Sequence, residues 1–205
     1  GYRINSAAKA IKSNKAYNIG ILVHECYMQS TTNYYFEIYA RLVKKLAQYG
    51  YNGVMEILEH SSENELQLPR MYLERKIDAL IILGECSHDY LTLYEDFNIP
   101  VLFFDFNVQD INVDSLPLDN YFSGQQITKL LIDKGHKKIG FIGNIYSTSS
   151  IKDRYLGYYR ALLDAKLSTN QEYLLSDRDE YGALIDFKIP TNLPTAYVCN
   201  NDQVA

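Results

Sequence analysis

The sequence has no tryptophan and only three cysteines, Cys26, Cys86 and Cys199. They are odd in number, far apart and never in CxxC spacing, which excludes a disulfide framework and a zinc-ribbon pattern. Each lies beside or inside an apolar run, the setting of a small buried thiol in a reducing compartment. No apolar run is long enough to span a bilayer, and no signal-peptide pattern opens the chain. A cytoplasmic protein with no membrane partner is therefore expected. Catalytic signatures are missing as well. There is no GxGxxG or GxxxxGK(S/T) phosphate cradle and no GxSxG elbow. The histidines, His24, His60, His88 and His136, show no HExxH or other metal spacing. His60 and His136 read as solvated turn residues, while His24 and His88 follow strands and are better placed to touch a ligand. No enzymatic activity, metal or cofactor is expected.

What is present is ordinary soluble-globular composition, 47% hydrophobic and 22% charged, on a chain of 205 residues. Such a length suits one large domain or two small ones and buries roughly 70% of its unfolded surface without staples. The net charge of −5 argues against a nucleic-acid binder, but the charge is unevenly spread. Residues 1–16 carry Arg3, Lys9, Lys12 and Lys15 and no acid, leaving −9 in the remainder. An acidic body with a basic head touches phosphate only at the head. Charge alone reads equally well as a solvated tail.

Short apolar runs alternate with helical patterns. Residues 19–23, 54–58, 79–83, 101–104, 139–142 and 196–198 read as strands buried on both faces. Residues 33–49 place Phe36, Tyr39, Ala40, Val43, Leu46 and Ala47 on one stripe, with Gly50 as C-cap. Residues 120–134 repeat the pattern with Gly135 in the same role, and 151–166 form a third helix. The alternation predicts an α/β protein with doubly wound parallel sheets and right-handed crossovers. Ligands bind such sheets where loops leave the carboxyl ends of the strands. That directs attention to residues 24–32, 84–88, 105–119, 143–150 and 199–202.

Three segments in order resemble the lactose-repressor/galactose-repressor family of bacterial transcription regulators. The first is Tyr2-Arg3-Ile4-Asn5-Ser6-Ala7-Ala8-Lys9-Ala10-Ile11 running into Ile19-Gly20-Ile21-Leu22-Val23, similar to a hinge helix and first core strand. The second is Asp119-Asn120-Tyr121-Phe122-Ser123-Gly124, then Gly135-His136-Lys137-Lys138-Ile139-Gly140-Phe141-Ile142-Gly143 and Asp153-Arg154-Tyr155-Leu156-Gly157-Tyr158. The third is Leu193-Pro194-Thr195-Ala196-Tyr197-Val198-Cys199-Asn200-Asn201-Asp202. Set against the family, the chain opens at the hinge, lacking the helix-turn-helix domain, and stops before the second subdomain is complete. The hinge has Ile4 where the family usually has proline, which leaves the helix entry less rigid. Ile11 stands at the apolar wedge position in place of leucine.

The resemblance implies two subdomains of the periplasmic-binding-protein type I kind, residues 17–135 and 136–205, after a hinge segment, 1–16. It also implies an effector, a sugar or related small metabolite, in the cleft between them. Sugars are recognised by planar groups that satisfy neighbouring hydroxyls in pairs. Arg154 offers a five-donor fork, Asp119 an acceptor and Asn201 both kinds of group. His24 matches a first-strand-loop contact, Ser150 precedes Arg154 by one turn, and Tyr146 could stack on a sugar face. Their plain alternatives are a surface salt bridge for Arg154 and a helix N-cap for Asp119. Near Asp177 the family's acidic-turn motif has Arg178 in place of an aromatic. The hinge, with Asn5, Ala8 and Ile11 as its marked residues, makes scarcely two helical turns. Helices under about 12–15 residues are marginal in water, so ordering is expected only on operator DNA, with Ile11 wedged into a minor-groove step. Two hinges meeting over one operator imply a homodimer. A periplasmic-type sugar-binding protein is the alternative reading, and a doubly wound enzyme acting on a small metabolite is a third.

Overall fold

A computed structural model describes residues 15–28, 34–179, 182 and 184–205. The chain divides into two compact units, residues 1–117 and 118–205. In the first unit, β1 (Asn18–His24), α1 (Tyr34–Gln48) and β2 (Asn52–Leu58) are followed by short helices α2 (His60–Asn64) and α3 (Arg70–Leu73). Then come β3 (Ala79–Leu83), α4 (His88–Thr92), β4 (Val101–Phe104) and β5 (Asp114–Leu116). The strands form one parallel sheet in the order β2-β1-β3-β4-β5. Because the chain moves out from β1 to β2 and then returns past β1 to β3, the strand order reverses direction beside β1.

Period-two alternation within apolar runs explains why these strands are central. Ile21, Val23 and Leu83 point to one face, where Tyr35, Ile38, Tyr39, Leu42 and Leu46 of α1 cover them. Leu22, Leu80, Ile82 and Phe103 point to the other and pack with Tyr90, Leu91 and Tyr94. Burying one such side chain contributes about 1.5–3 kcal/mol, so each strand contributes to two cores at once. The inward stripe of α1 is rotated from the predicted one. Phe36, Ala40 and Ala47 are exposed, whereas Tyr35, Ile38 and Leu42 turn inward with Tyr39 and Leu46. Two adjacent apolar stripes satisfy the helical period here, and packing on the sheet selects between them.

The second unit contains α5 (Asn120–Asp133), β6 (Ile139–Ile142), α6 (Ser149–Asp164), β7 (Leu174–Leu175) and β8 (Ala196–Cys199). Its parallel sheet has the order β7-β6-β8. The doubly wound α/β class expected from the sequence is what the chain adopts. Tyr158, Ala161 and Leu162 of α6 are buried toward the sheet, and the Tyr158 hydroxyl donates to the Ile139 carbonyl at 2.8 Å. Gly50 and Gly135 close α1 and α5 with φ of +77° and +93°, as their predicted C-cap roles require.

The compact units part at Pro117–Leu118, whereas the sequence reading divided the chain at 135–136. Helix α5 goes with the second unit because Gly124 and Gly157 let α5 and α6 cross backbone against backbone. Strands β5 and β7 were not anticipated, being only 3 and 2 residues long.

Candidate functional site

In the second unit, three strands deliver three polar residues to one carboxyl edge. Asn144 follows β6, Asp177 follows β7 and Asn200 follows β8. Asp177 is fully buried. Its Oδ1 accepts the Asn144 N–H at 2.8 Å, and its Oδ2 accepts Asn200 Nδ2 at 2.6 Å and Arg178 Nε at 3.1 Å. Asn144 Nδ2 in turn donates to the Arg178 carbonyl at 3.1 Å. A buried carboxylate survives only when so satisfied. This hub fixes the loop from which α6 starts. The sequence reading gave Asn144 no role and noted Asp177 and Asn200 only as parts of motifs. The available signal was position, one polar residue just past each strand of the sheet.

Helix α6 begins at that loop. Thr148 is its N-cap, extended in backbone, with Oγ1 accepting the Ile151 N–H at 3.3 Å and lying 3.0 Å from Ser150 Oγ. Arg154 follows one turn after Ser150 and is partly buried. Among the described residues its guanidinium makes no ion pair and no side-chain hydrogen bond, so the surface salt bridge is not formed. Asp153 does not pair with it either. Burial pushes the Asp153 carboxyl above the usual range, with Asp119 adding to the rise and Lys152 and Arg154 opposing it.

The other predicted contacts are placed as follows. Asp119 is the N-cap of α5, accepting the Phe122 N–H at 2.9 Å, and remains exposed. Asn201 uses Oδ1 to accept the N–H groups of Gln203 and Val204 at 3.0 and 3.3 Å, leaving its amide hydrogens as what it can offer. Tyr146, on the loop after β6, is 87% exposed. Arg178, which stands where an aromatic was expected, is folded onto Asp177 and contributes charge balance in place of a stacking face. Asn5, Ala8 and Ile11 lie outside the described residues.

His24 belongs to the first unit. It ends β1 and is 3% exposed, with Nε2 3.0 Å from Glu63 Oε2. His60, expected to be solvated, stands with Nδ1 3.4 Å from the same Glu63 oxygen, one helical turn apart on α2. Glu63 Oε1 accepts the Ser87 N–H at 2.6 Å. Burial works against the Glu63 charge, but the contacts to His24 and Ser87 outweigh it and hold the carboxyl at about 2. These three residues form a cluster that sequence spacing did not reveal. His88 pairs with Asp110 at 2.9 Å on the surface, and His136 Nδ1 lies 3.0 Å from Thr195 Oγ1.

Residues 17–205 match the family profile described as periplasmic binding proteins and sugar binding domain of LacI family. Curated relatives include the HTH-type transcriptional repressor PurR of Actinobacillus pleuropneumoniae, 28% identical over 210 residues, and that of Histophilus somni, 29% identical over 212. All of this chain is covered in both alignments, which take in 61% and 62% of those proteins, so it spans about three-fifths of their length. A putative ribose operon repressor from Burkholderia thailandensis has a similar fold, with a TM-score of 0.71 at 20% identity over 93% of this chain and 71% of that one. Transcription regulator CcpA of Lactococcus lactis gives 0.63 at 24% identity over 79% of this chain and 59% of that one.

Proposed function

Because the chain belongs to the family of periplasmic binding proteins and LacI-type sugar-binding domains, we propose that it is the effector-sensing core of a bacterial transcription repressor. The observation that carries this reading is Arg154, a partly buried residue of the helix that starts from the carboxyl edge of the second sheet, whose guanidinium has no protein partner among the described residues. Such a donor fork is costly to desolvate unless a ligand supplies acceptors, and a pair of vicinal sugar hydroxyls matches its geometry. Ser150 adds a hydroxyl one turn away, Asn201 its amide hydrogens, Asp119 an exposed carboxylate and Tyr146 an exposed ring.

The effector is a sugar or related small metabolite, met by these residues of the second unit. A ligand preferring one arrangement of the units alters the spacing of the two hinges in a homodimer, and hence operator affinity. Asn5, Ala8 and Ile11 are the hinge residues that meet DNA, in a cytoplasmic protein. The repressor relatives and the basic, alanine-rich segment before β1 favour this over an exported sugar-binding protein.

A thermal-shift screen of sugars and sugar phosphates tests the reading, since a ligand that binds the native state raises its melting temperature with concentration. One or a few related compounds should stabilise the protein saturably and remain chemically unchanged. Conversion of the stabilising compound to product would replace a sensor with an enzyme, and stabilisation by none would remove the sugar.

A further inference from the structure

We propose that His24, His60 and Glu63 form a binding site for a divalent transition metal of the zinc class, independent of the effector site on the second unit. Among the described residues this is the one group of three or more potential ligands whose donor atoms converge, all lying within 4.8 Å of one another. Two imidazoles and one carboxylate are a ligand set that zinc-like ions take, with bonds of about 2.0–2.2 Å. Two such bonds meeting at a right or tetrahedral angle separate their donor atoms by about 3.0–3.5 Å. The edges from Glu63 Oε2 to His24 Nε2 and to His60 Nδ1 are 3.0 and 3.4 Å.

The 3.0 Å contact is not an aligned hydrogen bond. His24 Nε2 is buried and its N–H direction misses the carboxylate, so proximity is present without the geometry of a hydrogen bond. The third edge, between the imidazoles, closes by rotation of the His60 ring, whose side chain is 41% exposed while Glu63 is 8% exposed. The surroundings already hold the ligands. Glu63 commits Oε1 to the Ser87 N–H and presents Oε2 to both rings. Glu25 accepts the His60 backbone N–H at 2.7 Å, tying the start of α2 to the residue after β1. Such outer contacts orient metal ligands in general. The Cys26 N–H approaches His24 Nδ1 at 3.2 Å. Metal at Nε2 moves the ring proton to Nδ1, so this long contact is given up for the metal–nitrogen bond.

His24 ends β1, His60 and Glu63 lie on the short helix α2 that follows β2, and Ser87 follows β3. The ion therefore sits at the carboxyl edge beside the reversal in strand order, where doubly wound sheets receive ligands. Three protein ligands leave at least one position for water or a hydroxyl or carboxylate group of a small molecule.

The test uses the full chain, stripped with a chelator and titrated with zinc alone and cobalt(II) alone. Calorimetry should give one zinc per chain, and cobalt the visible absorption of a low-coordinate nitrogen–oxygen site. His60→Ala, at a partly exposed position, should fold with unchanged circular dichroism and bind zinc at least tenfold more weakly, as should Glu63→Gln. His88→Ala and His136→Ala should bind like the parent. The proposal falls if the parent takes up no zinc at millimolar concentration, or if His60→Ala binds as tightly as the parent. Equal weakening in the His88 or His136 variants, or an intense ultraviolet thiolate-to-cobalt band placing cysteine in the shell, overturns it too.

Discussion

Gly124 on α5 and Gly157 on α6 each lie against a carbonyl of the opposite helix, Arg154 for the first and Tyr121 for the second, with no space for a β-carbon at either. The crossing fixes Arg154 by its own backbone, so the residue proposed to meet an effector is held by a backbone-to-backbone helix contact.

Gly124→Ala should therefore reverse the usual order of helix propensity. In an open helix, alanine gains up to about 1 kcal/mol over glycine. Here the added methyl group meets a backbone carbonyl that cannot swing aside, and overpacking of this kind costs about 1–3 kcal/mol. Urea unfolding should show the alanine variant less stable than the parent, and Gly157→Ala likewise. A stability gain in either would mean that the helices can separate freely.

Much of this architecture was legible in the sequence. The apolar runs around Ile21, Ile81, Phe103 and Phe141 identified strands with two buried faces, and Gly50 and Gly135 marked helix ends through their positive φ. Strands β5 and β7 were not visible, because two or three residues carry no period. The direction of α1 was underdetermined by two neighbouring apolar stripes. Among the candidate site residues, Ser150 and Arg154, one helical turn apart, came from the family resemblance. The His24–Glu63 pair was not, because 38 intervening residues separate them and only the parallel register of β1 and β2 brings them together.

Asp177→Ala should be among the most damaging single changes to the second unit. It leaves the Asn144 N–H and the Asn200 amide without their acceptor and Arg178 without its counter-charge. Breaking one side of a buried charged network costs about 3–5 kcal/mol. Asp177→Asn keeps the shape but brings an amide toward two donors, so it should recover only part of the loss. Denaturant midpoints of the two variants check this ordering, and an unchanged midpoint for alanine would remove the hub from the account.

Alkaline titration should expose the buried tyrosines. Tyr90 is held up at about 12 chiefly by burial, and burial also raises Tyr35, Tyr94 and Tyr158. A folded-state value above the unfolded one contributes stability that is complete below pH of about 10 and is lost as pH rises through the folded value. Tyrosinate absorbance should thus rise in two stages, the first from tyrosines outside this buried set. A second, cooperative step should follow and coincide with loss of circular dichroism. A single smooth titration of all 19 tyrosines with structure intact would contradict the burial of these four.

Arg154 carries the functional proposal most directly. Its helix is capped by Thr148, its backbone is pinned by Gly124, and its guanidinium has no protein acceptor among the described residues. Replacing it with alanine removes charge-assisted hydrogen bonds to the effector and should weaken binding by about 1.5–3 kcal/mol. Folding should change little, because no ion pair is lost. Lysine restores charge but not the planar fork, so Arg154→Lys should recover only a minor part of the affinity. The measurement is titration of both variants with whichever compound stabilises the parent, alongside operator binding without effector, which should stay near the parental value. If both variants bind the effector as the parent does, Arg154 is a surface cation, and the second-unit site must be sought elsewhere along the sheet edge.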